Sequence, residues 1–528
     1  MTVRKQVKLM KKKGYRTQPH FINYYGALVA GVNVEKMDLT RMTEFLTIAG
    51  KVIQRDNNIQ ANYFFQLTRD FFEHHALRYE KFFRLRISDD DYSFEFLEPK
   101  PADTTAAAYD PKADSILNTL PQGQKPVKQP EVVGPAIVFN KASLIFITSF
   151  DSALLKNTKG IFSLRNRLFV GEGGSFSWAP AGLSADSVYY EFNKYNFKTN
   201  EPSFSAAQGK LMYVGKIAGK VPGLFEFRSI KHKTKKEAVF PRFKSYESNI
   251  SLLGFSDKNL KYTGGFGLEG SAVTSNSADN KPATIEVMGV SDKKFKAESQ
   301  LFFFRDSSIM SNDARIVIFQ GNDSIVHPSM SLRYHYARQQ LSLNKNKTAL
   351  RRAPFSSSYF GIDFTADEAD WDLKSDSINF SIYGSGKVAP MVIESQDYYD
   401  PDDFRQLRNP GFDFNPLIVV VNYAQTNNVR DFSVYELASK SITAGSAKMA
   451  ADFLSQKGMI DYDPRTGKIH VKEKAIHFLE SARGKADYDN MKIHSLADTV
   501  VNATINLKKN NMVVHGVDEF KISDSLNV

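Results

Sequence analysis

Apolar and polar residues alternate along short runs between about residues 133 and 428, and residues that favour turns separate these runs. A period of two is the pattern of a strand with one buried face, whereas a helix repeats every 3.6 residues. No helical pattern of more than about ten residues stands out in this region. The sequence therefore predicts a mainly β protein, built as stacked antiparallel sheets or as an irregular β-solenoid. Examples of the runs are Ala142 to Phe150, Ser175 to Trp178, Leu224 to Phe227 and Leu301 to Phe304.

Residues 1–98 follow a helical period instead. Asp38 is a suitable N-cap for one helix, and the polar stretch Asp56 to Asn58 separates it from a second helix. Two antiparallel helices joined by this short turn are expected. Alternation from Tyr92 to Phe96 then predicts a strand at the end of the segment. The apolar positions are Phe45, Ala49, Val52 and Ile53 in the first helix, and Phe64, Leu67, Phe71, Leu77 and Phe82 in the second.

The remaining segments differ in composition and period. Residues 99–132 are rich in proline, which is typical of a linker. Residues 429–484 change to the order helix, helix, hairpin, helix, which resembles a small winged helix inserted in the β protein. Strand patterns resume over 485–528, and the last unit stops soon after it begins at Asp524. This predicts that the chain is a piece of a longer protein.

Seven Asp-Ser pairs lead into or lie beside short apolar runs, roughly twice the number that composition alone would give. Asp and Ser side chains bond to nearby backbone N–H groups and so stabilise turns. The pairs therefore predict turns that lead into strands, and they indicate architecture rather than catalysis. They begin at Asp114, Asp151, Asp186, Asp306, Asp323, Asp376 and Asp524.

Composition narrows the class of protein. A chain of 528 residues with 42% hydrophobic and 24% charged residues is expected to fold into several domains. The absence of cysteine excludes disulfides, Cys-ligated zinc, iron–sulfur clusters and a Cys nucleophile. No apolar run is long enough to predict a transmembrane helix, and the N-terminus lacks the apolar region of a secretory signal.

The net charge of +11 and the sequence pI of about 9.2 indicate a basic surface. Such a surface suits nucleic acid, anionic polysaccharide or lipid headgroups, and it is equally what solvated charged loops produce. Part of the charge is concentrated in two clusters, Lys5, Lys8, Lys11, Lys12 and Lys13, and Lys231, Lys233, Lys235 and Lys236.

DNA binding through the winged-helix-like segment would use its second helix, Ser446 to Lys457, in the major groove. This helix carries Lys448 and Lys457, and the hairpin adds Arg465 and Lys468 as wing residues. A DNA-reading helix usually carries more charge and more donors for base edges. A structural or protein-contact role is therefore expected for the segment, and nucleic acid is an unlikely partner.

Two clusters carry side chains of the types that bind metal ions. Asp70 and His74 are one helical turn apart in the predicted second helix, next to Glu73 and His75. A loop with Asp397, Asp400, Asp402 and Asp403 is rich in the oxygen ligands that calcium prefers, although its spacing is not that of an EF-hand. The first cluster is expected to be the solvent-facing side of a helix and the second a solvated loop, so no metal ligand is predicted.

A third cluster of functional side chains follows His327-Pro328 and comprises Arg333, Tyr334, His335, Tyr336 and Arg338. Such residues on a β scaffold could cleave polysaccharide by elimination or stack on sugars. On one strand, however, Arg333 and His335 face one side and the two tyrosines face the other. The alternation predicts a half-buried strand rather than a catalytic set. No phosphate-binding loop, nucleotide fingerprint, nucleophile elbow or zinc-protease motif is present in the sequence.

The strand patterns, the Asp-Ser units and the helical insert together resemble the large envelope β-repeat proteins of Bacteroidota. The stretch from Asp489 to Val528 is also similar to the jelly-roll strand repeats of lipopolysaccharide-transport proteins. Both resemblances imply an extracytoplasmic, non-catalytic β scaffold. The phrases that carry the second likeness are Ala503 to Leu507 and Asn511 to Gly516.

The expected function is that of a non-catalytic structural or binding protein of the bacterial cell envelope. It would present a basic, aromatic β surface to glycan, lipid or a partner protein, in the periplasm or at the outer membrane. The alternatives are a polysaccharide-active enzyme on a β scaffold and a nucleic-acid-binding protein that uses the winged-helix-like insert. A complete chain would instead be cytoplasmic. No catalytic residue, metal ligand or cofactor is assigned.

Overall fold

A computed structural model describes residues 2–88, 91–99, 129–255, 257–290, 292–347, 352–384, 387–388, 390–408, 411–439, 441–496, 500–523 and 526–527. The fold is mainly β, with 41% strand and 24% helix, which confirms the predicted class. The chain forms two compact units, Met1–Gly254 with Gly264–Lys281, and Phe255–Thr263 with Pro282–Val528. Most of the predicted linker and the Asp-Ser pairs at 114 and 524 lie outside the described residues.

Helices begin the first unit. Asp38 caps a helix by accepting a hydrogen bond from the backbone N–H of Arg41, as predicted, and Asn57 caps the next helix. The predicted helical pair is therefore present, and two further helices precede it. The helices are α1 (Val3–Lys12), α2 (Ile22–Asn33), α3 (Leu39–Arg55) and α4 (Asn58–His74), with a π-helical turn at Thr17–Phe21 before α2.

The placement of Leu77 and Phe82 in the second helix was wrong. The helix ends at His74 because His75 adopts the left-handed conformation, with φ of 46°. Leu77 is buried in the first strand, and Phe82 lies in the turn that follows it, 70% exposed. Leu77 was assigned to the helix because a buried strand residue is as apolar as a buried helix residue.

The strands of the first unit pair in antiparallel fashion. They are β1 (Ala76–Tyr79), β2 (Phe83–Ser88), β3 (Tyr92–Leu97), β4 (Gly134–Thr148), β5 (Ser152–Ser163), β6 (Leu168–Glu172), β7 (Ser175–Ser177), β8 (Val188–Phe192), β9 (Lys194–Lys198), β10 (Ser203–Ala206), β11 (Gly209–Tyr213), β12 (Lys220–Arg228), β13 (Arg242–Ser245), β15 (Gly267–Glu269) and β16 (Ala272–Thr274). Short 3₁₀ helices cover Ala179–Ala181 and Lys235–Glu237.

Long strands in the first unit pair with different neighbours along their length. The first half of β5 pairs with β7 and its second half with β6, after irregularities in its pairing with β4. In the same way β12 pairs first with β11 and then with β10 and β13. The buried rings of Phe146, Phe204 and Phe225 fill the core, with Phe204 5.4 Å from each of the other two between ring centroids.

The second unit contains the remaining strands. They are β14 (Leu260–Thr263), β17 (Ala283–Met288), β18 (Lys293–Ser299), β19 (Phe303–Phe304), β20 (Ser308–Gln320), β21 (Asp323–His335), β22 (Gln340–Asn344), β23 (Phe355–Ser357), β24 (Ile362–Phe364), β25 (Glu368–Asp372), β26 (Ser377–Ser381), β27 (Tyr383–Gly384), β28 (Lys387–Val388), β29 (Val392–Ser395), β30 (Asp431–Ser433), β31 (Ile460–Asp463), β32 (Lys468–Val471), β33 (Lys492–Ser495), β34 (Ala503–Asn506), β35 (Asn511–Val514), β36 (Val517–Ser523) and β37 (Leu526–Asn527).

The order of strand pairing is the same in the two units. The hairpin β20–β21 corresponds to β4–β5, and β21 pairs with β23 through its first half and with β22 through its second. The pairs β22–β25, β23–β24 and β24–β29 match β6–β9, β7–β8 and β8–β11. The strands β33 and β34 together take the place of β12, pairing with β29 and β26.

The winged-helix-like insert lies between β29 and β33. Its helices are α5 (Pro401–Gln406), α6 (Pro416–Asn427), α7 (Ala444–Gln456) and α8 (Glu473–Ala482), with a 3₁₀ helix at Val434–Leu437. The three strands of the insert form a sheet in the order β30–β32–β31. Helix, helix, hairpin and helix appear within 429–484 as predicted, and Gly458 ends α7 in the left-handed conformation.

Two helices of the insert, α5 and α6, lie in the region predicted to contain short strands only. The 12-residue helix α6 was missed because its run of β-branched residues resembles a strand. Asn415 caps it through the N–H groups of Leu417 and Ile418, and Pro416 occupies the first turn. Leu417 is buried in the core of the insert, so packing decides the conformation. No helix in the described part of the chain is long and apolar enough to span a membrane.

Candidate functional site

One outward row of side chains crosses five strands of the first unit. Lys156, Ser175, Glu191, Lys210 and Pro222 are register partners along β5, β7, β8, β11 and β12. Alternate residues on a strand point to opposite sides of a sheet, so the neighbouring row points inward. That inward row is buried and comprises Leu155, Phe176, Tyr190, Leu211 and Val221.

A second outward row, formed by Ser177, Tyr189, Met212 and Lys220, runs beside the first. We call the two rows the five-strand face. Two hollows open on it, of about 860 Å³ and about 290 Å³, and Glu191 lines both. The larger hollow is lined by Glu191, Phe192, Asn193, Gln208, Gly209, Lys210, Lys220, Pro222, Tyr246 and Glu247, and the smaller by Leu154, Lys156, Ser175, Ser177, Ala185, Asp186, Tyr189 and Glu191.

The charges on the five-strand face leave an excess of positive groups in the rows. Lys220 donates to both carboxylate oxygens of Glu191, at 2.8 and 2.7 Å, and this hydrogen bond raises the pKa of Lys220. Lys156 and Lys210 are exposed and have no ion-pair partner among the described residues. The charge of Glu191 is therefore balanced by Lys220. Lys156 on one side of it and Lys210 on the other remain available to an anionic ligand.

Tyr246 gives the larger hollow a fixed aromatic wall. Its hydroxyl donates to the backbone carbonyl of Ala207 at 2.8 Å, and burial raises the pKa of this tyrosine. Its backbone N–H is bonded to the carbonyl of Pro222. The ring is thus held against the strand edge, and Asn193, Gln208 and Glu247 supply amide and carboxylate groups around it.

The floor of the larger hollow requires glycine at position 209. A Cβ atom there would lie 2.3 Å from the carbonyl oxygen of Glu191 and 2.5 Å from the ring of Tyr190. We expect Gly209→Ala to lower the free energy of unfolding of the first unit by about 1–3 kcal/mol. The carbonyl group of Glu191 would have to move away from the new Cβ atom, and this shift would weaken the hydrogen bonds between the strands. Denaturant unfolding followed by Trp178 fluorescence in a Trp371→Phe background measures this. Gly445→Ala, where the nearest atom to the new Cβ is Thr443 Oγ1 at 3.8 Å, is the control, and it is expected to unfold like the wild type when Trp371 reports the second unit.

The structure does not gather the Tyr/His/Arg cluster into a site. Tyr334 and Tyr336 are buried, Arg333 is exposed and His335 is half-buried, which confirms the predicted alternation. The hydroxyl of Tyr334 donates to Asp257 at 2.7 Å, and burial raises its pKa. The tyrosines therefore serve the core and cannot meet a sugar.

Asp70 and His74 lie in the last turns of α4, and His75 follows the end of the helix. His74 stacks on Tyr79 at 3.6 Å between ring centroids, whereas burial raises the pKa of Asp70 to about 6. The Nε2 atom of His75 lies 3.4 Å from Glu35. Among the residues that the structure describes, no group of three His, Cys, Asp or Glu side chains could hold a metal ion.

The acidic loop is the start of helix α5. Asp400 accepts hydrogen bonds from the N–H groups of Asp402 and Asp403 as an N-cap, and Asp402 pairs with Arg405. Asp397 lies 4.0 Å from the ring nitrogen of His477. The crowding of acidic residues therefore has a local explanation, since a carboxylate is favourable at a helix N-terminus.

The basic residues of the insert serve different contacts. Lys448 lies over the ring of Tyr435 at 4.9 Å, and Arg465 pairs with Asp463 at 3.1 Å. Lys457, at the other end of α7, lines a hollow against β24 and β29. Lys468 is exposed on the hairpin. Two of the four basic residues that DNA binding would use, Lys448 and Arg465, therefore already contact other side chains of the insert.

The five-strand face was not predicted from the sequence, although runs in two of its strands, β7 and β12, were. The signal in the sequence was the lysines and acids at alternate positions of aromatic strands, as in Tyr189 and Glu191. Strand register determines which of these side chains become neighbours, and the local sequence does not determine the register. No family model, curated protein or solved structure matches the chain.

Proposed function

We propose that the chain is a non-catalytic binding protein of the bacterial cell envelope that holds an acidic glycan along the five-strand face. The observation that carries this proposal is the continuous outward row from Lys156 to Pro222 with hollows on both sides of Glu191. The envelope location rests on the resemblance to envelope β proteins.

The dimensions and chemistry of the face favour an extended, polar ligand. Lys156 and Lys210 are three strands apart, which is roughly 14 Å at the usual strand spacing. A ligand that reaches both lysines is longer than one sugar ring. Amide, hydroxyl and carboxylate groups bond sugar hydroxyls, the Tyr246 ring offers an apolar wall, and the unpaired lysines attract carboxylate or sulfate groups.

Catalysis on the glycan receives less support from this geometry. Hydrolysis of a glycosidic bond needs a carboxylic acid that donates a proton and a second carboxylate that acts as a base or nucleophile. Glu191 and Glu247 share the larger hollow, but both oxygens of Glu191 accept hydrogen bonds from Lys220. Both oxygens are therefore engaged by one ammonium group, and neither is free to contact a glycosidic oxygen.

The proposal predicts that reversing two charges abolishes most of the binding. We expect the double variant Lys156→Glu, Lys210→Glu to bind oligogalacturonate at least about tenfold more weakly than the wild type, equivalent to about 1.4 kcal/mol. Calorimetric titration of the full chain at two salt concentrations measures this, and wild-type binding weakens as salt is raised.

Lys198→Glu is the matched control, because Lys198 is an exposed strand lysine of the same unit that lines neither hollow. It is expected to bind like the wild type. Equal affinity for a neutral malto-oligosaccharide of the same length, or an equal loss in the control, would contradict the acidic-glycan proposal. Release of shorter sugars during the titration would contradict the non-catalytic role.

A further inference from the structure

The second unit carries an equivalent of the five-strand face. Val326, Ser356, Asp363, Glu394 and Lys492 are register partners along β21, β23, β24, β29 and β33. These are the strands that correspond, in pairing order, to those of the five-strand face. A serine followed by an acid stands at the centre of both rows, as Ser175–Glu191 in one and Ser356–Asp363 in the other.

The two units differ in the connection beside this row. In the first unit the chain passes from β11 to β12 through the six residues 214–219, whereas in the second the insert joins β29 to β33. The insert packs on the row itself. Lys474 of α8 lies 2.5 Å from Asp363, and a Cβ atom on Gly458 would lie 3.2 Å from the same carboxylate and 3.0 Å from Pro354. The insert therefore covers the position that is open in the first unit.

A hollow of about 410 Å³ remains between the insert and the strands of the second unit. This volume is in the range of small-molecule sites. The strands and the insert both contribute residues to its walls, and these residues include apolar and charged side chains. It is lined by Arg352, Pro354, Asp363, Phe364, Thr365, Val392, Glu394, Phe453, Gln456, Lys457 and Lys474.

The charges of this hollow do not cancel. Asp363 is paired with Lys474, and Glu394 is paired with Lys492 at 2.9 Å. Arg352 and Lys457 are exposed and have no ion-pair partner in the described part of the chain. One of these cations precedes β23 and the other ends α7, so an anion between them would touch both the strands and the insert.

We propose that this hollow binds a small carboxylate with a compact apolar body, held by Arg352 and Lys457. The guanidinium of Arg352 suits a carboxylate because its donors match the two oxygens. Val392 and Phe453 supply apolar contacts for the body of the ligand, whereas the side chain of Phe364 is buried in the core. This site is independent of the glycan site, and either proposal can fail without the other.

Phenylacetate and its neutral analogue phenylacetamide are suitable probes for the full chain. Calorimetry is expected to detect phenylacetate with a dissociation constant of about 1 mM or below, and phenylacetamide at least about tenfold more weakly. Arg352→Gln and Lys457→Gln are each expected to weaken phenylacetate at least about tenfold. Both replaced side chains are exposed, so the fold is expected to persist, and Trp371 fluorescence checks it.

Lys448→Gln is the matched control on the same helix, since Lys448 lies over Tyr435 and does not line the hollow. It is expected to bind phenylacetate like the wild type. The proposal is overturned if no heat of binding appears up to about 10 mM, if the amide binds as tightly as the acid, or if Lys448→Gln weakens binding as much as Lys457→Gln.

Discussion

Replacing Lys474 with methionine is expected to lower the free energy of unfolding of the second unit by about 3–5 kcal/mol. The side chains of Lys474 and Asp363 are only 8% and 4% exposed, and their charged atoms are 2.5 Å apart. Ser356 donates to the other carboxylate oxygen at 2.8 Å. Methionine removes the cation and leaves a buried carboxylate with one hydroxyl donor, so the cost is the desolvation of an unpaired charge.

The two tryptophans allow each unit to be followed separately. Trp178 belongs to the first unit and Trp371 to the second, and both are buried. In a Trp178→Phe background, denaturant unfolding followed by fluorescence reports the second unit through Trp371. The Lys474→Met variant is expected to shift this transition to lower denaturant, while Trp178 in a Trp371→Phe background reports a first unit of unchanged stability.

Lys472→Met is the matched control two residues away. Lys472 pairs with Asp461 at 3.1 Å, but their side chains are 24% and 34% exposed. Solvent screens such a pair, so its removal is expected to cost less than about 1 kcal/mol. The double variant Asp363→Leu, Lys474→Met removes both charges and is expected to recover most of the loss. A loss in Lys472→Met equal to that in Lys474→Met would show that the lysines act only through packing.

The predicted turns and strands agree with the structure where the reason for them is local. The Asp-Ser pairs at 151, 186, 306, 323 and 376 each stand at the beginning of a strand. At Asp151 the carboxylate accepts a hydrogen bond from the N–H of Ser152 at 2.8 Å, and Thr148 closes the turn. Such bonds connect near neighbours and depend on residue type, so the sequence alone predicts them.

The candidate faces could not be predicted because they depend on distant pairing. Lys156 and Pro222 belong to one row although 66 residues separate them, and the row exists only in the observed register. A register slip by one residue would turn the lysines inward. Tertiary packing likewise makes α6 a helix in spite of its strand-like residues. The common pairing order of the two units is also invisible in the sequence, since corresponding positions such as Lys210 and Glu394 carry opposite charges.

With one face open and the other covered, the same strand arrangement would hold the two different ligands that we propose. Glu191 is paired with Lys220, a residue of the face itself, and both side chains are about 40% exposed. Asp363 takes its cation from the insert and is buried by it. A long glycan needs the first arrangement because it must enter from the side. A small carboxylate suits the second, because the insert and the strands together form the walls of a hollow of about 410 Å³.

The second unit is also expected to lose about 3 kcal/mol of stability as the pH falls from 7 to 4 because of His327. His327 is 1% exposed, and burial lowers its pKa to about 4 from an ordinary value of 6.5. Its Nδ1 accepts a hydrogen bond from the N–H of Ser329 at 3.1 Å, so Nε2 carries the proton and donates to the carbonyl of Ala353 at 2.9 Å. A second proton on Nδ1 would break the bond to Ser329.

The sign follows from the two pKa values. Above pH 6.5 the ring is neutral in the folded and unfolded states, and the full stability is present. Between pH 6.5 and about 4, His327 is protonated in the unfolded chain but neutral in the folded chain, so the free energy of unfolding falls as the pH falls. The charges of Lys345 and Lys472 act in the same direction because they oppose a positive ring.

Denaturant unfolding of the Trp178→Phe protein at several pH values measures this loss through Trp371. His327→Gln is expected to be less stable at pH 7 but to have a flatter pH dependence between 6.5 and 5, since glutamine does not titrate. His470→Gln is the control, because His470 and its partner Asp431 are 45% and 81% exposed and contribute little. If the wild type and His327→Gln lose stability in parallel over this range, protonation of His327 does not govern the acid sensitivity of the unit, and acidic side chains must account for it.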